Sequence, residues 1–143
     1  MTTERPTGLT KDAGWQVGVS RTVPVDIDLA WARLTSPDGL DAWLGIGARP
    51  DPEVGSTYTA DDETTGEMRS WSERDRLRAT RQRSDEDHET TIQITVSPTA
   101  GGTRIGLHQE RMASQAERSA MREHWRAVAD LLDTLLRSDP SLG

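Results

Sequence analysis

Cysteine and phenylalanine are both missing from this 143-residue sequence, and one Tyr and five Trp make up its aromatic content. Without cysteine there is no disulfide and no thiolate metal site. Without Phe, the broad apolar surfaces of a core have to come largely from Trp. No run of ~18 apolar residues exists to cross a membrane. The polar stretch 1–13, with Pro6 and Gly8, also lacks the apolar segment of a signal sequence, so a soluble, cytoplasmic protein is expected. Positive charge is the minority: 17 Lys and Arg stand against 24 Asp and Glu, a net charge of −7. Binding along a nucleic acid depends on Lys and Arg displacing counterions, so no nucleic-acid partner is expected. No nucleophile elbow, phosphate loop or HExxH is present, and motifs support no enzyme class.

What is present begins with the last long segment, 114–137. Met121, Trp125, Val128, Leu132 and Leu135 recur at intervals of four and three, which places them on one stripe of an amphipathic helix. Ser114 and Glu117 fit a capping box, and Pro140 stops continuation. At a rise of ~1.5 Å per residue this helix is roughly 35 Å long, the full width of a small domain. It needs a broad apolar partner, and no other segment is a comparable helix.

The partner is strand-like. Over 15–23, Trp15, Val17, Val19 and Val23 alternate with small or polar residues, the period of a half-buried strand. Asp26 caps a short helix running to Leu34. Ser36 followed by Pro37 opens a second, which ends at Gly45. Trp31, Leu34, Leu40, Trp43 and Leu44 form the apolar side of this pair. From Arg49 onward the pattern predicts short strands over 55–58, 66–71, 77–83, 90–96 and 104–110, with turns at 61–65, 84–89 and 98–102. An antiparallel sheet with one dry face and a helix with one dry stripe bury each other. The fold class is therefore α+β, a single domain over 14–138 between a loose arm 1–13 and a tail 139–143.

Together, VSRTVPVDIDLAWARLTSPDGLDAWLG, GEMRSWSERDRLRAT, GTRIGLHQE and REHWRAVADLLDTLL resemble the START-like (SRPBCC) superfamily, and within it the activator-of-heat-shock-protein-90-ATPase homologue family, over about 17–136. The resemblance implies a helix-grip fold, a curved antiparallel sheet around a long C-terminal helix, with a cavity between the layers. It also implies a choice of roles: binding a small hydrophobic ligand, polyketide-like or acidic; cyclase- or hydrolase-like catalysis; antibiotic self-resistance; or partnership with a chaperone in a stress response.

Within that frame the cavity wall is aliphatic. Met68, Leu77, Ala79, Ile94, Ile105 and Leu107 are expected to line it, with Met121 and Trp125 contributed by the helix. Trp43 and Trp71 stand near the mouth, and Arg81 and Gln109 are its polar points. An unpaired guanidinium there favours an acidic or carbonyl-bearing molecule. The alternative is structural, with Arg81 paired to Glu67 or Glu110 and Gln109 bonded to backbone near the sheet edge. His88 reads as solvated, His108 as outward-facing and His124 as a helix flank. The acidic runs 61–63 and 85–89 lack the spacing of a calcium loop, so neither a metal nor another cofactor is expected. Arg69, Arg74, Arg76, Arg78, Arg81 and Arg83 read as a charged outer sheet face, paired across strands or offered to an anionic protein or nucleotide. A monomer or homodimer is expected. A catalyst should differ from a binder in holding a titratable group of shifted pKa inside the cavity.

Overall fold

The computed structural model describes residues 9–10 and 14–137. The stretches of alternating character form strands: β2 (Gly14–Val23), β6 (Thr90–Thr99) and β7 (Gly102–Met112). Their apolar positions Val17, Val23, Ile92, Ile94, Val96, Ile105 and Leu107 are buried. β1 (Leu9–Thr10), β3 (Thr57–Thr59), β4 (Thr65–Ser72) and β5 (Arg76–Arg81) complete one sheet, in the order β1-β2-β7-β6-β5-β4-β3 with every neighbour antiparallel. β1 pairs Leu9 with Trp15 and Thr10 with Gly14, within the stretch read from sequence as a loose arm. The rest of that arm and of the tail lies outside the described residues.

Strand ends differ from the sequence pattern for identifiable reasons. Where a turn is predicted over 98–102, β6 runs on to Thr99 and the hairpin tightens to Ala100 and Gly101, with Thr99 paired to Gly102. β5 stops pairing at Thr95, so Pro98 lies where β7 is the neighbour and its missing N–H breaks no ladder in the interior of the sheet. A side chain at Gly102 (φ +151°) would fall 2.0 Å from the Val23 carbonyl, which leaves glycine there.

Both short helices begin at their predicted caps. Asp26 accepts from the Leu29 amide at 2.8 Å to start α1 (Ile27–Leu34), and Ser36 accepts from Gly39 at 3.2 Å to start α2 (Pro37–Trp43). Helix α3 (Gln115–Arg137) follows β7. Ser114 accepts from the Glu117 amide at 3.1 Å, but the Glu117 carboxylate takes the Ala113 amide at 2.7 Å, one residue earlier than a capping box would have it. The dry stripe of α3 is Met121, Trp125, Val128, Ala129, Leu132 and Leu136. Leu136, fully buried, closes the stripe in place of Leu135, because a 3.6-residue period drifts off the three-and-four alternation.

The interface between α3 and the sheet is filled and hydrogen-bonded. Trp125 is 1 % exposed. Its indole N–H donates to Gln109 Oε1 at 2.8 Å, the Gln109 amide donates to Thr90 Oγ1 at 2.9 Å, and the Thr90 hydroxyl donates to the Arg81 carbonyl at 3.2 Å. This chain ties α3 to β7, β6 and β5 through the middle of the core. Every side chain in this series has a partner, so none of the three bears the cost of desolvation alone.

Candidate ligand-binding site

Burial moves the candidate site away from the middle of the sheet. Met68, Leu77, Ala79, Ile94, Ile105, Leu107 and Trp125 are all 0–2 % exposed and Met121 is 7 % exposed, all within one continuous apolar core. They pack against one another, and Gln109 is spent on Trp125 and Thr90 instead of backbone at the sheet edge. Trp71 stacks edge-on to Trp31, with ring centroids 6.4 Å apart, and lines an outer cleft with Trp31, Leu40, Pro50 and Pro52.

Two of the sequence-read residues do come together, Trp43 and Arg81. They share a cavity of about 230 Å³ with Leu44, Ile46, Thr64, Asp62 and His124, where the end of α2, the end of β5, the turn between β3 and β4, and the middle of α3 meet. Trp43 is 2 % exposed and held by its indole N–H on the Leu34 carbonyl at 2.8 Å, so it is a wall of the cavity and not a flap at its mouth. The loop after α2 crosses the opening. Its path is set by the Asp61 amide on the Ile46 carbonyl (2.7 Å) and the Gly47 amide on Asp41 Oδ1 (3.0 Å). Gly47 has φ +86°, and a Cβ there would lie 2.1 Å from Asp61 Oδ1. This path leaves Ile46 66 % exposed above the cavity.

Arg81 carries the chemistry of this cavity. Its Nη1 is buried and has no hydrogen-bond partner. Neither carboxylate expected to neutralise it does so: Glu110 pairs with Arg78, and Glu67 lies 3.5 Å from Arg69. Register explains the exchange, because Arg78 and Glu110 are on the outer face while Arg81 ends β5 at the rim of the core. Burial lowers the Arg81 pKa, opposed mainly by Glu86 and Tyr58. His124, read from sequence as a half-exposed flank of the helix stripe, is exposed on α3 and borders the same cavity. Burial first, then the charges of Arg81 and Arg83, lower its pKa, so the imidazole is neutral near pH 7. Asp62 is held ionised by the Thr64 hydroxyl and amide. Helical spacing does not reveal His124 as a cavity residue, because its neighbours in space come from β5 and the loop after α2.

The other histidines divide. His108 faces outward, as the alternation implies, with Nε2 2.8 Å from Gln16 Oε1. His88 is not merely solvated: Nε2 is 2.7 and 2.9 Å from the Glu117 oxygens and Nδ1 is 3.1 Å from Asp87, which fastens the turn after β5 to the first turn of α3. Its pKa is raised, first by the hydrogen bond to Asp87, then by the hydrogen bond to Glu117. Glu86 stands close enough that its oxygen, the His88 nitrogen and a Glu117 oxygen lie within 4.8 Å of one another. Local spacing along the acidic run cannot show this convergence, since Glu117 belongs to another element.

The model of the family described as Activator of Hsp90 ATPase homolog 1-like protein matches residues 24–137. The chain belongs to this family. Solved structures show the same fold. Protein MLL2253 from Mesorhizobium loti is 23% identical with a TM-score of 0.72, over 87% of this chain and 98% of that one. CalU16 from Micromonospora echinospora is 17% identical with a TM-score of 0.76, over 93% and 83%. DynU16, a protein in the dynemicin biosynthetic locus, is 18% identical with a TM-score of 0.72, over 86% of this chain and 47% of that one. No curated protein sequence matches the chain. The family match begins at Pro24, and β2 before it pairs antiparallel with β7 in the same sheet. Among the described residues no helix is long and apolar enough to cross a membrane.

Proposed function

We propose that this member of the family binds a small organic acid in the cavity between α2, β5 and α3, with Arg81 as its anchor. The observation that supports this most is the buried, unpartnered Nη1 of Arg81. A buried cationic donor without an acceptor is costly, and a carboxylate or carbonyl entering the cavity would remove that cost by a charge-assisted hydrogen bond. The volume of about 230 Å³ is below the ~300–1,000 Å³ of sites that take drug-sized molecules, which favours a small ligand. The apolar part would rest on Trp43, Leu44 and Ile46. CalU16 and DynU16 share the fold, and the locus that DynU16 is described from makes a biosynthetic acid or polyketide-like ligand a reasonable class. On this reading the protein works in the cytoplasm as a binder, without a metal or other cofactor.

The test is intrinsic Trp fluorescence during titration with hexanoate and benzoate, and with their amides. Saturable change with the acids, weaker with the amides and lost in a folded Arg81→Met variant, is the expected result. Equal response of parent and variant would remove Arg81 from the site, and no response to any of the compounds would remove the site.

One observation favours a second reading, catalysis of the cyclase or hydrolase kind. His124 is neutral and shares the cavity with the anchor, the protonation state that a general base requires. Turnover of p-nitrophenyl hexanoate that disappears in His124→Gln while hexanoate still binds is the outcome that would favour catalysis over binding.

A further inference from the structure

The outer face of the sheet carries a second feature, unrelated to the Arg81 cavity. β4 and β7 each contain a β-bulge, and in each the extra residue is an arginine. On β4, Met68 pairs with Ala79 and Ser70 with Arg78, so Arg69 has no counterpart on β5. On β7, Gln109 pairs with Val17 and Met112 with Trp15, while Glu110 pairs with Thr91 on the other side, which leaves Arg111 unpaired. Arg111 adopts φ +69°, a left-handed conformation that an arginine takes at a cost. Bulges re-aim side chains, and both of these send a guanidinium to one groove. Its lining is Arg69, Ser70, Arg76, Arg78, Thr80, Glu89, Thr91 and Arg111, around about 710 Å³.

Within the groove only part of the positive charge is neutralised. Arg78 is committed to Glu110 and to Gln93 Oε1 at 3.0 Å, and Arg69 has Glu67 at 3.5 Å. Arg76 and Arg111 are exposed and form no ion pair among the described residues. Four guanidinium groups thus face three hydroxyls and one carboxylate, on a protein whose net charge is −7. β4 and β7 are three strand spacings apart, roughly 14 Å, so the forks at the two ends can hold successive groups of one elongated anion. Guanidinium forks and Ser or Thr hydroxyls suit phosphate oxygens, and the lining holds no aromatic ring on which a base could stack.

We propose that this groove binds the di- or triphosphate group of a small phosphorylated ligand on the face of the sheet opposite α3. Overall negative charge repels a long polyanion but not a short one held by a local cluster.

The probe is inorganic tripolyphosphate, titrated by calorimetry into the full chain. Binding with one-to-one stoichiometry that weakens as KCl rises is expected. Arg111→Gly keeps the backbone conformation available to glycine while removing the guanidinium, and should fold as the parent does yet bind at least about tenfold more weakly. Arg76→Ser should act alike. Arg104→Ser, on β7 outside the groove, should leave binding unchanged. Absence of saturable binding, or equal weakening by Arg104→Ser and Arg111→Gly, would overturn the proposal. So would tighter binding of hexaglutamate than of tripolyphosphate, which would make the face a dock for an acidic peptide.

Discussion

The middle of the core and its α2 end are built from the same sheet and the same helix, yet they treat polar groups in opposite ways. Under the middle of α3, Trp125, Gln109 and Thr90 satisfy one another in series, and the apolar residues around them leave no room. At the α2 end, Arg81 is left with a bare nitrogen and His124 with a neutral ring beside an opening. A closed region gains stability from being complete. The region left incomplete gives some of that up and is where a ligand has something to add.

The largest expected effect breaks the closed region. Trp125→Ala should cost about 3–5 kcal/mol in denaturant unfolding, from a cavity that a rigid surround cannot collapse. It also removes the donor to Gln109. A variant that unfolds at the parent's midpoint would mean that the middle is not closed. Gln109→Leu comes next, at about 1–3 kcal/mol, because the indole N–H of Trp125 is then buried without an acceptor. If that substitution is neutral, water reaches the indole and the two regions differ less than the geometry indicates.

At the open end the sign reverses. Arg81→Met should be neutral or stabilising by up to about 1 kcal/mol, since it takes away a half-buried cation whose Nη1 has no hydrogen-bond acceptor. Marked destabilisation instead would mean that Arg81 acts as a structural cation. The contrast then sharpens: one polar group in the core is indispensable to folding and another is dispensable.

The smallest effect concerns the clasp between His88 and Glu117, which holds the turn after β5 against α3. Asp87 and Glu117 raise the His88 pKa in the folded protein. Its contribution to stability is therefore fully present below the unfolded value near ~6.5 and is lost as pH rises through the folded value. His88→Ala should lower the melting temperature more at about pH 5.5 than at about pH 9. His124 works in the other direction: its lowered pKa means that the folded state loses stability as pH falls below the unfolded value. Comparing His88→Ala with His124→Gln across that range separates the clasp from the cavity.

Much of the fold is legible in local pattern. The caps at Asp26 and Ser36, the helix from Ser114 and the alternation around Ile94 and Ile105 are decided by neighbours within a turn or a strand, and sequence displays those neighbours directly. The inner and outer faces of the strands follow from the same period, which is why the aliphatic set from Met68 to Leu107 is placed correctly inward. What pattern cannot state is whether inward residues border a space or fill it. That depends on the fit of α3 against the sheet, and here they fill it.

Sequence by itself determined the elements and their dry faces, because these rest on periodicity and on caps a few residues long, while the helix-grip arrangement followed from the resemblance to the family. Only the tertiary structure decided that Arg81 meets Trp43 and His124 and loses Glu67 and Glu110 to Arg69 and Arg78. It also decided that Arg69 and Arg111 are the surplus residues of two bulges. The physical reason is register: one residue of slip between strands changes which face a side chain occupies and which charge it meets, and register is set by pairing between segments far apart in the chain.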